Sequence, residues 1–77
     1  MHYSIDKNVL TIIDSENTLS DPQFRIYNTL GQLISFTHTH SSGNGYQLNP
    51  GQIKPGVYFV QLMDKGKYKT FKFIFAN

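Results

Sequence analysis

The chain of 77 residues contains no cysteine, which excludes disulfide staples and thiolate zinc sites together. It leaves the redox compartment open, because a cysteine-free domain folds on either side of a membrane. No apolar run approaches the roughly 18 residues needed to span a bilayer, so no transmembrane segment is expected. No charged start leads into an apolar stretch of the secretory-signal kind. The chain is thus expected either to stay in the cytoplasm or to be a piece of a longer precursor. Internal repeats, low-complexity tracts and linkers are lacking, and no segment keeps a helical apolar period. A nucleophile in a recognisable elbow is missing. "SSGNG" (Ser41 to Gly45) lacks both the lysine and the following helix of a phosphate loop. A small domain also has little room for a cleft. The chain is therefore read as no enzyme, with no cofactor.

What is present is an apolar period close to two and a dense set of turn signals. "VLTII" (Val9 to Ile13) reads as a strand buried on both faces, and "SENTLSDP" as a loop. "QFRIYNTLGQLISFTHT" reads as a hairpin turning near Asn28 to Gly31, with Phe24 and Ile26 on one face and Arg25 and Tyr27 on the other. Leu33, Ile34 and Phe36 return along its partner strand. "SSGNG" is a turn, "YQLN" a short strand and "PGQIKPG" a loop. "VYFVQLM", the tight turn "DKG" and "KYKTFKFIF" close the chain as a hairpin. Six or seven short strands with turns at this spacing favour an antiparallel sandwich or a small barrel. A chain of this size buries only about 60% of its unfolded surface, so one thin-cored domain over residues 1–77 is expected.

Charge is polarised along the chain. Up to Phe36, Lys7 and Arg25 stand against Asp6, Asp14, Glu16 and Asp21; from Lys54 onward, Lys54, Lys65, Lys67, Lys69 and Lys72 stand against Asp64 alone. In the last strand Phe71, Phe73 and Phe75 share one parity and face the core, while Tyr68, Thr70, Lys72 and Ile74 share the other. The plainest role for these lysines is protection of a sheet edge. A single-strand nucleic-acid grip needs exposed aromatic platforms beside a basic groove, and parity leaves only Tyr68, so no nucleic-acid partner is expected. Tyr3, Tyr27, Tyr46 and Tyr58 could instead form a stacking face for glycan or protein, the reading of an adhesive module. His38 and His40 share one strand face, but a stable zinc site usually takes three or four ligands. The pair reads as solvent-facing.

Three stretches taken together resemble a known family. "FRIYNTLGQLI" carries Ile26, Tyr27, Asn28, Gly31 and Gln32; "IKPGVYFVQL" carries Ile53, Pro55, Gly56, Tyr58, Val60 and Leu62; "GKYKTFKFIF" carries Gly66, Lys69, Lys72, Phe73 and Ile74. Their order, spacing and position are similar to the type A C-terminal sorting domain of the type IX (Por) secretion system. The match covers about residues 24 to 77, and "HYSIDKNVLTI" lacks the Tyr-Pro-Asn-Pro opening common in the family.

The resemblance implies an Ig-like β-sandwich of about seven short strands in two sheets, carried behind a larger cargo protein of a gram-negative bacterium. It implies passage through the periplasm, then recognition by the outer-membrane translocon and its shuttle components. It further implies removal by a sortase-like cysteine peptidase and delivery to the cell surface or the medium. Recognition is expected in the last two strands. Lys65, Gly66, Lys67, Lys69, Lys72, Phe73 and Ile74 are the candidate recognition residues. Tyr27, Asn28, Gly31, Gln32, Pro55, Gly56, Tyr58 and Val60 are the motif positions expected to set shape.

Overall fold

The computed structural model describes residues 1–16, 18–40 and 45–76, with residue 40 described by its backbone alone. Among them the chain forms eight strands and no helix: β1 (His2–Asp6), β2 (Val9–Ile13), β3 (Gln23–Asn28), β4 (Leu33–Ile34), β5 (Thr37–His40), β6 (Gly45–Asn49), β7 (Gly56–Asp64) and β8 (Lys67–Phe75). All pairings are antiparallel, in two four-stranded sheets ordered β1-β2-β6-β5 and β4-β3-β7-β8. Lettered along the chain, these are the A-B-E-D and C′-C-F-G sheets of an immunoglobulin-like sandwich. Residues 41–44 of the expected "SSGNG" turn lie outside the described residues.

Period-two alternation builds the core. Leu10 and Ile12 from β2, Phe24 and Ile26 from β3, Tyr46 and Leu48 from β6, Tyr58, Val60 and Leu62 from β7, and Phe75 from β8 meet between the sheets. Each large apolar side chain so buried contributes on the order of 1.5–3 kcal/mol. Tyr3 of β1 closes one long side, its ring 4.6 Å from Phe71 and 5.8 Å from Phe73 of β8. The edge strands of the two sheets thus shield one another there.

Three expectations need correction. β2 is not buried on both faces: Leu10 and Ile12 enter the core, Val9 and Thr11 are half-buried, and Ile13 is exposed. A sheet in a two-layer sandwich keeps one wet face. The return strand of the second hairpin is split. β4 pairs with β3 only at Leu33 and Ile34, and the chain then crosses to the other sheet as β5. His2–Asp6, not read as a strand, pairs along its whole length with β2. Its two-residue turn uses Lys7 and Asn8 at φ 52° and 64°. Positive φ at both central positions is the type I′ hairpin geometry. The "DKG" turn repeats it, with Lys65 at φ 54° and Gly66 at φ 74° between Asp64 and Lys67. Asp-Lys-Asn and Asp-Lys-Gly are thus the same device, and only the second carries the glycine that advertises it.

Two carboxylates hold the crossover from β2 to β3. Asp14 accepts from the Leu19 amide at 2.8 Å and the Thr18 hydroxyl at 3.1 Å. Asp64, at the end of β7, accepts from the Asp21 amide at 3.0 Å and from the Ser20 amide and hydroxyl at 3.3 Å. The backbone amide of Leu19, in the first case, and of Asp21, in the second, holds the carboxyl below its ordinary pKa. Hydrogen bonds to the charged form favour that form. Asp64 therefore fastens the start of the C-terminal hairpin turn to a loop more than forty residues earlier.

Candidate recognition surface

The motif residues divide by what they do to the backbone. Asn28 ends β3 and organises the turn into β4. Its Oδ1 accepts from the amides of Leu30 and Gln32, both at 2.9 Å, while its Nδ2 donates to Gln32 Oε1 at 2.7 Å. The Gly31 amide donates to the Asn28 carbonyl at 3.1 Å, and Gly31 sits at φ 81°, a conformation costly for a residue with a Cβ. Asn28, Gly31 and Gln32 are thus the parts of one folded turn, with Tyr27 on the outer side of the strand that leads into it.

The second motif is a corner. Tyr58 is buried, its ring packing edge-to-face on Phe75 at 5.4 Å, and its hydroxyl donates to the Lys54 carbonyl at 2.5 Å. A tyrosine near the start of strand F that bonds back to upstream backbone is the tyrosine corner of immunoglobulin-like domains. Pro55 lies inside the bonded loop. Gly56 takes φ 151° where the loop becomes β7, and Val60 is fully buried beyond it.

The candidate recognition residues separate onto two faces and a tip. Lys65 and Gly66 form the tip of the β7–β8 hairpin. Lys67 and Lys69 have inward parity but stand beyond the packed core. With Lys65 they rim a cleft of about 250 Å³ floored by Met1, Leu19 and Leu62. Phe73 faces inward beside Tyr3. Lys72 and Ile74 face outward, Ile74 with 65% of its surface exposed. Among the described residues β8 pairs with β7 alone, so the backbone of its other edge has no strand partner there, although Tyr3 covers the side chains of Phe71 and Phe73.

Aligned by register, the outward residues of the second sheet form cross-strand rows. Lys72, Phe59, Tyr27 and Leu33 make one; Ile74 and Val57 flank it on one side, and Thr70, Gln61 and Arg25 on the other; Tyr68, Met63 and Gln23 follow. Phe59 and Met63 were not singled out from the sequence. Their strand is apolar on both parities apart from Gln61, which conceals that half of it faces away from the core.

The tyrosines do not form a common stacking face, which corrects the basis of the adhesive reading. Tyr46 and Tyr58 are each only 7% exposed inside the sandwich, and Tyr3 is held against Phe71 and Phe73. Tyr46 lies against Phe24 and His38, and its hydroxyl pKa is raised by burial. His38, exposed overall, sets its ring edge-on to Phe24 at 5.1 Å. The side chain of residue 40, the other half of the histidine pair, lies outside the described residues.

Fold, corner and capped turn together define a small immunoglobulin-like module that presents a charged terminal hairpin. The family model described as secretion system C-terminal sorting domain matches residues 6–76. The chain belongs to that family, the C-terminal sorting domains of type IX secretion. Neither the comparison with curated proteins nor that with solved structures gave a significant match. Membership makes the domain a C-terminal sorting signal for type IX secretion, engaging that machinery on behalf of a cargo N-terminal to it. The destination is the cell surface or the medium.

Proposed function

We propose that the domain acts without catalysis as a folded address, read by the outer-membrane translocon and its shuttle components after the cargo reaches the periplasm. The family match over residues 6–76 carries this reading. The arrangement of the β7–β8 hairpin supports it: the longest strand pair carries Lys65, Lys67, Lys69 and Lys72 at an open sheet edge. Clustered charge steers encounter with a complementary partner, and an open edge allows strand addition. A sortase-like cysteine peptidase then removes the domain, leaving the cargo anchored at the surface or free.

The test is a fusion of a signal peptide, a fluorescent reporter and residues 1–77, made in a gram-negative host that has this translocon. Export of the reporter to the surface or medium is the expected result. A folded fusion that stays in the periplasm would overturn the proposal. Cleavage is read separately, from the mass of the exported reporter.

A further inference from the structure

The two outward faces of the sandwich differ in chemistry. On the first sheet the outward residues are His2, Ser4, Asp6, Val9, Thr11, Ile13, Thr37, Thr39, Gln47 and Asn49, which are mostly hydroxyls, amides and charges. On the second sheet they include Tyr27, Leu33, Phe59, Met63, Tyr68 and Ile74. Of the five large apolar side chains that stand exposed among the described residues, Leu33, Tyr68 and Ile74 lie here, each 64–66% exposed. The charges on this face are Arg25 and Lys72, both cationic, and none of its residues is acidic. Every described strand belongs to one of the two sheets, so among the described residues no further strand or helix lies over it.

The geometry points to the outer face of the β4-β3-β7-β8 sheet as the docking surface of the domain, for a protein partner presenting an apolar patch with acidic residues opposite Arg25 and Lys72. This rests on the sorting reading and gives it a surface. Ile74, Val57, Phe59, Tyr27 and Leu33 carry apolar surface across all four strands, and Tyr68 and Met63 lie beyond the polar row of Thr70, Gln61 and Arg25. Exposed apolar surface rimmed by polar residues marks an interaction site. Tyr, Phe, Met and Arg are the residues enriched at the centres of protein interfaces. A second copy docking by the same face is the poorer occupant, since that face would bring the same two cations and no anion. A bilayer is also poorer: two cations fall short of the four to eight basic residues typical of membrane-binding clusters. Lys65, Lys67 and Lys69, at the far tip of the same sheet, steer the encounter, and the aromatic rows make the contact.

The reporter fusion tests this with two sets of variants. In the first, Arg25→Glu with Lys72→Glu reverses both charges at exposed positions, and Ser4→Glu with Thr39→Glu adds charge at exposed positions of the opposite face. The expected result is an export loss of at least tenfold for the first pair and none for the second, with both melting like the parent. In the second, a photoreactive phenylalanine replaces Leu33, Tyr68 or Ile74, or, as controls, Thr39 or Gln47. Adducts with a protein of the export machinery are expected from the first three positions only. Adducts only with lipid, only with another copy of the fusion, equally from both faces, or none at all would overturn the proposal. Normal export of the Arg25→Glu, Lys72→Glu pair would do so too, leaving the sorting reading intact. A parent fusion that is never exported removes the sorting reading and this surface with it.

Discussion

Tyr58 should be a strut of the fold rather than a contact residue, and two substitutions separate those roles. Tyr58→Phe keeps the ring against Phe75 and removes only the hydroxyl that donates to the Lys54 carbonyl. Lys54 is exposed, so water can take over that carbonyl. The net loss is then about 1 kcal/mol, the usual worth of one intramolecular hydrogen bond. For a domain of 60–100 residues that corresponds to a melting temperature lower by roughly 4–8 °C. Tyr58→Ala also empties a core site, at about 3–5 kcal/mol. A chain of this size holds only about 4–12 kcal/mol in total, so the alanine variant should lose from about a quarter to all of its stability. Thermal unfolding followed by far-ultraviolet circular dichroism gives both numbers. If the phenylalanine variant melts with the parent, the corner bond contributes nothing. If the alanine variant melts within a few degrees of the phenylalanine one, the ring is not a core element and the packing argument fails.

Acid should weaken the fold through Asp14 and Asp64. Both pKa values are lowered in the folded state from an ordinary 3.8, so their stabilisation is present above about pH 4 and is lost as pH falls through the folded values. Asp14→Asn combined with Asp64→Asn should flatten the decline in melting temperature below pH 4; an unchanged decline would assign it to other groups. Asn28→Ala removes three side-chain hydrogen bonds of the β3–β4 turn and should cost about 1–2 kcal/mol, read as a lower midpoint in urea. Gly56→Ala places a Cβ at φ 151° and should cost of the order of 1–3 kcal/mol, although the space around it is open; a neutral result would show that the backbone relaxes there. Phe75→Ala should cost about 3–5 kcal/mol, because the ring is fully buried despite lying next to the chain's end.

The all-β class and the inward phenylalanines of β8 were legible because period two and turn residues are local properties. β8 shows this best: Phe71, Phe73 and Phe75 alternate with exposed Thr70, Lys72 and Ile74 as parity requires. The family was legible too, since order and spacing of several weak motifs survive without any structure. β1 was missed because its turn uses Asn8 where a glycine would have announced it. The division of Leu33–His40 between two sheets was hidden because both halves alternate alike, and only tertiary pairing decides which neighbour each takes. The bonds from Asp64 to Ser20 and Asp21 could not be read, being contacts between segments with no shared pattern. The outward apolar face was concealed for a different reason: in β7 outward Val57, Phe59 and Met63 are as apolar as inward Tyr58, Val60 and Leu62, and Gln61 alone marks the wet side.

Loss of export after truncation of the hairpin cannot by itself identify the address. Deleting Lys65 onward removes the whole of β8, including Phe75 from the core and the partners of Tyr3. Such a chain would fail to fold before it failed to be recognised. In this domain the shape-setting motif positions (Asn28, Gly31, Tyr58, Gly56) and the candidate contact positions are largely disjoint. That separation is what makes the question tractable. Shape residues predict a fall in melting temperature that carries export down with it, and exposed outward residues predict a fall in export at constant melting temperature. Measuring both for each variant assigns it to one class. The lysines at the hairpin tip serve as an internal comparison, because edge protection and steering both predict a salt-dependent effect, whereas apolar docking through Phe59, Tyr68 and Ile74 predicts one that salt barely moves.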